Sequence, residues 1–424
     1  MKKSTKDAIV IGFALFAMFF GAGNLIFPAF LGKTLGAEFF IGIIGFVITG
    51  VGLPLLAILA CSKGDGTFET LAGKINTKFA IICTAALFIA IGPMLGIPRT
   101  AATTFELTIH PFFPSISPFV AMAIYFAINM FFVLGSDSII DVIGKYLTPA
   151  LLIILSVIIF KGFFFPIGEI VTTNSSSVLS KSLLEGYQTM DALAALLFAG
   201  IVTTSLKTKG YKTKEMSSMI LKSSLVAVLG LAFVYGGLMY IGAQTVTLAP
   251  ADISKTGLLL LISKSILGSL GPVVIGIAMG LACLTTSIGL LTSGATFFEK
   301  ISKGKLSYNF NAIFIALISL GIALLGVDKI IVLSVPILNV LYPVSITLIV
   351  TTLLNKYLKN IKAVRLGVYT SLIFGILLAI PGLNLTLIPL ATIGFGWVIP
   401  TVIAIIIGYI IFSTSSKKQQ SKLS

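Results

Sequence analysis

Apolar positions in this chain neither alternate nor recur on one helical face; they run together. A helix needs about 20 consecutive apolar residues to cross a bilayer. On that rule the sequence holds twelve runs, at 8–31, 37–61, 79–104, 117–135, 140–160, 187–206, 219–243, 269–297, 309–326, 330–354, 366–383 and 387–412. They are long and continuous, unlike the alternating segments of about ten residues that build a membrane barrel. The polar stretches around 62–78, 161–186 and 244–268 are too short to form a soluble core. The pattern predicts an all-α polytopic membrane protein with 12 transmembrane helices, residues 1–424 forming a single transmembrane domain. A polar, unstructured tail is expected at 413–424.

Composition agrees. The chain is 57% hydrophobic and 10% charged, with a mean hydropathy of +1.10, where a soluble domain is about 25% charged. The net charge of +15 would suit nucleic acid only if it clustered on one folded face. Here it is scattered through short loops, so no nucleic-acid partner is expected. The N-terminal "MKKSTKDAIVIGFALFAMFFGAG" has the outline of a signal peptide, but its apolar run continues past Asn24 into "LIFPAFLG" and reads as an uncleaved first span. With the N-terminus on the cytoplasmic side, most Lys and Arg fall in loops on that side. The opposite loops and span ends hold Lys33, Lys161, Lys181, Lys255, Lys264 and Lys329. A miscounted span would invert every later loop, so the asymmetry places both termini in the cytoplasm of a multi-pass cytoplasmic-membrane protein.

Absences narrow the class. "ETLAGKI" and "ISKGKLS" carry Gly-Lys without the rest of a nucleotide-binding P-loop. The single histidine, His110, lies beside Pro111, and Cys61, Cys83 and Cys283 sit in or at the ends of apolar runs without metal spacing. No enzyme chemistry, resident cofactor or metal is implied beyond a coupling ion. Sparse polar residues argue against a channel pore, which leaves a carrier.

Carriers bind their cargo where paired spans are interrupted near the bilayer midplane. The first run breaks at Gly21, Ala22, Gly23 and Asn24, with Pro28 following; the sixth has a softer interruption at Phe198, Ala199 and Gly200. The matching positions predict inverted repeats of five spans, one over about 7–161 and one over about 185–355, with additional helices over about 364–412. Close helix packing is the alternative account of Gly200. In the eighth run, Thr285 and Thr286 either bond back to their own helix or offer hard oxygens to an alkali cation. Arg99 and Asp191 are charges inside apolar runs, expected to form or flank a gate, with Glu106 a competing partner for Arg99 and a static ion pair the other reading.

Three stretches, "FFGAGNLIFP", "IGPMLGIPRTAATTFE" and "EGYQTMDALAALLFAG", resemble signature segments of BrnQ-type branched-chain amino acid carriers, a cation symporter family. The resemblance implies import of leucine, isoleucine or valine with Na⁺ or H⁺, on a LeuT-like five-plus-five inverted repeat with discontinuous helices 1 and 6. A same-fold symporter for another neutral amino acid or a nucleobase is the nearest rival. It further implies a cation held by the Thr285 and Thr286 hydroxyls and the Ala282 carbonyl, opposite the Ala17 and Phe20 carbonyls. N–H groups around Gly23, Asn24 and Leu25 would then face the substrate carboxylate. Carbonyls near Leu197 and Phe198 would complete the site, and Gly21 and Gly23 would keep it open. The implied partners are the substrate, the cation and the lipid bilayer, with no obligatory protein partner. Asp191 remains either a gate, a structural pair or a proton site.

Overall fold

A computed structural model describes residues 3–135, 138–383 and 385–420. The chain is helical almost throughout. The first apolar run becomes α1 (Lys3–Phe19) and α2 (Gly23–Leu35), which meet at 70°. α3 (Phe39–Val47) and α4 (Leu53–Ser62) form one rod through a π turn, and Thr67 caps the short α5 (Phe68–Gly73) that follows. α6 (Thr77–Ile89) and α7 (Ile97–Thr104) are joined across a kink at Gly92 and Pro93, where the ring removes a backbone donor. α8 (Pro118–Val133) starts at a Ser117 cap, and α9 (Ser138–Phe164) is followed by α10 (Val178–Tyr187) and α11 (Asp191–Thr208).

The second half runs α12 (Thr213–Ala243), α13 (Lys255–Leu267), α14 (Gly271–Ile301), α15 (Tyr308–Ala323), α16 (Val327–Leu353), α17 (Ile361–Ala379) and α18 (Val398–Gln420). Among the described residues, six helical stretches are long and apolar enough to cross a membrane, seven with the bent pair α1–α2 taken as one. Pro118–Val133, Pro149–Phe164, Tyr308–Ala323 and Val398–Phe412 are apolar but shorter. Large side chains such as Phe131, Val332 and Ile403 lie exposed on the outer surface, as lipid-facing residues do.

Packing brings the interrupted elements together. The unbroken α12 lies against both α1 and α2, spanning their break, while α10 packs on α3 and α11 on α4. Glycine permits the closest of these approaches. A Cβ at Gly32 would stand 2.0 Å from the Met239 carbonyl oxygen, and one at Gly242 would stand 2.0 Å from that of Ala29. α14 packs on α7 and α15, and α16 carries α17, which in turn carries α18.

Several sequence expectations need correcting. The stretch 244–268, read as a loop, contains α13, because the Ser254 hydroxyl accepts from the Gly257 N–H and starts a helix there. The last run, expected from 387, becomes helical only at Val398, after a looped segment with left-handed backbone at Leu390 and Gly394. The tail expected to be unstructured from 413 continues α18 to Gln420; its last four residues, 421–424, and Lys2 lie outside the described residues.

Candidate substrate and cation site

The first break is held open by one side chain. In a continuous helix the Gly21 N–H would bond the Ala17 carbonyl. Instead it donates to Asn24 Oδ1 at 2.9 Å. The Asn24 N–H, which would serve Phe20, reaches the Gly21 carbonyl at 3.2 Å. Both diversions release carbonyls, those of Ala17 and Phe20, and the Ala22 and Gly23 N–H groups at the start of α2 have no backbone acceptor.

The second break is at Gln188–Met190 and not at Phe198–Gly200. α11 is continuous through Leu197, Phe198, Ala199 and Gly200, so their carbonyls belong to the helical ladder. A Cβ on Gly200 would meet Thr67 Cγ2 at 3.7 Å and the Gly66 carbonyl oxygen at 3.9 Å, ordinary contact distances, so neither a break nor a close approach requires glycine there. The real interruption carries Met190 at φ 63°. Arg99 of α7 stabilises it, with Nη1 donating to the Gln188 carbonyl at 2.7 Å and Nη2 to that of Thr189 at 3.4 Å. A cation at the carbonyl end of α10 also complements its dipole. From α16, Ser334 donates to Gln188 Oε1 at 2.6 Å and Tyr342 to the Tyr187 carbonyl at 2.9 Å.

A buried triad then ties one break to the other. Asn24 Nδ2 donates to Asp191 Oδ2 at 2.7 Å, the Tyr235 hydroxyl donates to the same oxygen at 2.9 Å, and Asn24 Nδ2 also meets the Tyr235 hydroxyl. None of the three residues is more than 2% exposed. A carboxylate so deep needs such donors, since an unsatisfied buried charge is expensive. Asp191 therefore heads α11 and faces Asn24 at the head of α2.

Arg99 and Asp191 both border this junction, yet no ion pair joins them; the pairs among the described residues are Lys209–Asp7, Lys255–Glu185 and Lys300–Glu69. The guanidinium lies over the Phe27 ring, 5.2 Å from its centroid. Glu106, the expected competitor for Arg99, is engaged elsewhere, accepting from the Thr256 hydroxyl at 2.7 Å and the Val327 N–H at 3.0 Å.

The two threonines divide. Thr285 donates back to the Ala282 carbonyl at 2.9 Å, a bond that leaves lone pairs on both oxygens. Thr286 has a buried hydroxyl with no partner, and that oxygen would lie 3.5 Å from a Cβ on Gly21. A cavity of about 40 Å³ lies at the centre, lined by Gly21, Asn24, Arg99, Asp191, Phe198 and Thr286 among others. A larger cavity, about 440 Å³, opens between α2, α10, α13 and α16. At its wall Lys255 pairs with Glu185 at 3.5 Å and sits 3.8 Å over the Phe30 ring.

The bent α1–α2 pair and the turn between α10 and α11 meet at a small buried cavity, in a fold of the LeuT-like inverted-repeat class. Solved structures share the fold. The nucleobase-cation-symport transporter Mhp1, closed with bromovinylhydantoin bound, matches with a TM-score of 0.65 at 12% identity, covering 97% of this chain and 93% of that one. MhsT in complex with L-phenylalanine matches with a TM-score of 0.55 at 17% identity, over 94% and 98%. The sequence is more specific: residues 4–415 match the family described as branched-chain amino acid transport protein, and the chain belongs to that family. It is 37% identical to the branched-chain amino acid permease BraB of Bacillus subtilis over 96% of this chain and 95% of that protein. It is 36% identical to the permease BrnQ of Lactobacillus delbrueckii over 95% and 96%. The chain is accordingly a secondary transporter of branched-chain amino acids and not an enzyme.

Sequence reasoning located Gly21–Asn24, Arg99, Asp191 and Thr286 but missed Tyr235, Gln188 and Thr189. Tyr235 carries no signal in an apolar run. The second break had one: Asp191 opens a helix just after Thr189, whose hydroxyl accepts from the Asp191 N–H at 3.3 Å.

Proposed function

We propose that the chain imports leucine, isoleucine and valine by alternating access, coupled to Na⁺ or H⁺, through twelve spans with both termini in the cytoplasm. The observation that carries the coupling is the set of oxygens at the first break. Two carbonyls freed from the helix, those of Ala17 and Phe20, and the unpartnered Thr286 hydroxyl, which would lie 3.5 Å from a Cβ on Gly21, support this reading. Hard oxygens of this kind suit an alkali cation. The Thr285 hydroxyl and the Ala282 carbonyl can join them with their mutual bond intact, since the hydroxyl donates its proton and keeps its lone pairs.

The substrate site borders the cation site. The Ala22 and Gly23 N–H groups, with Asn24 and Leu25 behind them, offer the positive end of α2 to a carboxylate. On the other side, Phe198 supplies apolar wall; the carbonyls of Gln188 and Thr189 accept from Arg99 and that of Met190 from the Ala194 N–H, so they position the guanidinium beside the site. The central cavity, about 40 Å³, is far smaller than the 440 Å³ cavity beside it, and loading an amino acid there requires the α1–α2 pair and the α10–α11 pair to part. If the ion orders the backbone that receives the substrate, each raises the affinity of the other equally.

Uptake of labelled leucine into proteoliposomes, with sodium and proton gradients imposed separately, tests the reading. One gradient should drive accumulation above equilibrium, and excess isoleucine or valine should compete. Equal filling with and without either gradient would reject coupling, and competition by nucleobases instead of aliphatic amino acids would reject the substrate.

A further inference from the structure

The central cavity is lined by two residues of opposite charge type that form no direct ion pair. Arg99 is 4% exposed and Asp191 2% exposed, both line the same small space, and both are satisfied by neutral groups. Arg99 uses the Gln188 and Thr189 carbonyls; Asp191 uses Asn24 and Tyr235. Burying two charges is costly, and the usual remedy is to pair them directly. Keeping them apart at one cavity makes sense when a third body carries both complementary charges.

We infer that Arg99 and Asp191 are the charged anchors of a zwitterion, the guanidinium taking the substrate's α-carboxylate and the Asp191 carboxylate its α-ammonium. This rests on the transport reading above and deepens it by assigning the polar half of the substrate. Stoichiometry of donors allows it. A guanidinium has five N–H donors, of which Arg99 spends two on carbonyls, leaving others for a carboxylate. Both side-chain bonds to Asp191 end on Oδ2, and a carboxylate accepts at both oxygens. Gly23 fits the same account: a Cβ there would sit 3.0 Å from Arg99 Nη2. Its absence lets the N–H groups at the head of α2 and the guanidinium face one space, a joint seat for an anion.

The substrate class follows from the charges. A solute with one charge, or none, would leave a buried partner uncompensated. Neutral ring compounds such as nucleobases and hydantoins are thereby disfavoured, and compounds bearing an amine and a carboxylate on one carbon are selected. The aliphatic side chain then has only to fit.

The test is competition with labelled leucine for the purified full-length protein in lipid nanodiscs, at slightly acidic pH where amines stay protonated. Leucinamide lacks the carboxylate and 4-methylpentanoate lacks the ammonium. On the wild-type protein each should compete at least about 100-fold more weakly than leucine, the discrimination expected when a buried polar partner is left unmatched. Arg99→Gln should weaken leucine to near the leucinamide level while moving leucinamide itself by less than about threefold. Asp191→Asn should do the same with respect to 4-methylpentanoate. Either analogue binding the wild-type protein within about threefold of leucine overturns the assignment. So does an Arg99→Gln protein that loses leucine and leucinamide equally, which marks a structural arginine. Where Arg99→Gln fails to fold, Arg99→Lys serves: keeping the charge with fewer donors, it should still hold leucine more tightly than leucinamide, and equal loss of both overturns the assignment. A wild-type protein that neither binds nor takes up leucine overturns the transport reading and this inference together; leucine binding with undiscriminated analogues overturns this inference alone.

Discussion

Asn24 uses every polar atom of its side chain. Its oxygen takes the Gly21 N–H and opens the first break, while its nitrogen reaches Asp191 and Tyr235 and ties that break to the second. Asn24→Ala should therefore lower the melting temperature of the purified protein, since leaving a buried group unpaired costs about 1–3 kcal/mol. Tyr235→Phe, which removes only the hydroxyl, should reproduce part of that loss. Thr286→Val should sharply weaken the dependence of leucine uptake on the coupling ion, because its buried hydroxyl has no other partner. Thr286→Ser, which keeps the oxygen, should hold that dependence within about twofold; equal loss in both would remove the Thr286 hydroxyl from the cation site. Asn24 and the threonine pair were legible in the sequence because polar residues inside apolar runs stand out. Tyr235 was not, since an aromatic among aliphatics looks like packing until its hydroxyl is seen to meet a carboxylate.

Among the elements, α2 and α12 approach each other backbone to backbone from both sides. A methyl group on Gly242 would have to displace backbone of Ala29, which cannot rotate away as a side chain can. Gly242→Ala should cost about 1–3 kcal/mol or more in stability through overpacking, read as a fall in melting temperature and yield. Gly289→Ala is the control: nothing lies within 4 Å of its added carbon, and the change should be neutral within about 0.5 kcal/mol. Element existence was largely readable from apolar run length, and the first break from Gly21–Asn24. The second was misplaced by ten residues because glycine signals both interruption and close packing. Around Gly200 the helix runs unbroken, while the break relies on Arg99, a residue remote in sequence.

For the molecule as a whole, the two ends are fastened differently. At the end carrying the α1 N-terminus, Asp7 pairs with Lys209 at 3.6 Å and accepts from the Tyr211 hydroxyl at 2.8 Å, linking α1 to the turn after α11. At the other, Lys255 and Glu185 stand beside the larger cavity. Asp7→Asn should loosen the first end. A cysteine at Met18, which lines the central cavity, should then react faster with a thiol reagent in a background lacking the native cysteines. The gain should stay within about fivefold, as partly exposed ion pairs contribute about 0–1 kcal/mol; no change would show that the pair does not hold α1 in place. These tertiary links were invisible in the sequence, where lysines in loops report orientation and nothing of their partners. The long α12 has one last consequence. It is a single rod of 31 residues lying along both halves of the broken first span, and it contacts α2 through backbone. A splinted fracture does not flex at the fracture. The gap at Phe20–Ala22 is thus better viewed as a fixed window in a frame than as a hinge, and opening the transporter should carry α1, α2 and α12 as one body past their neighbours.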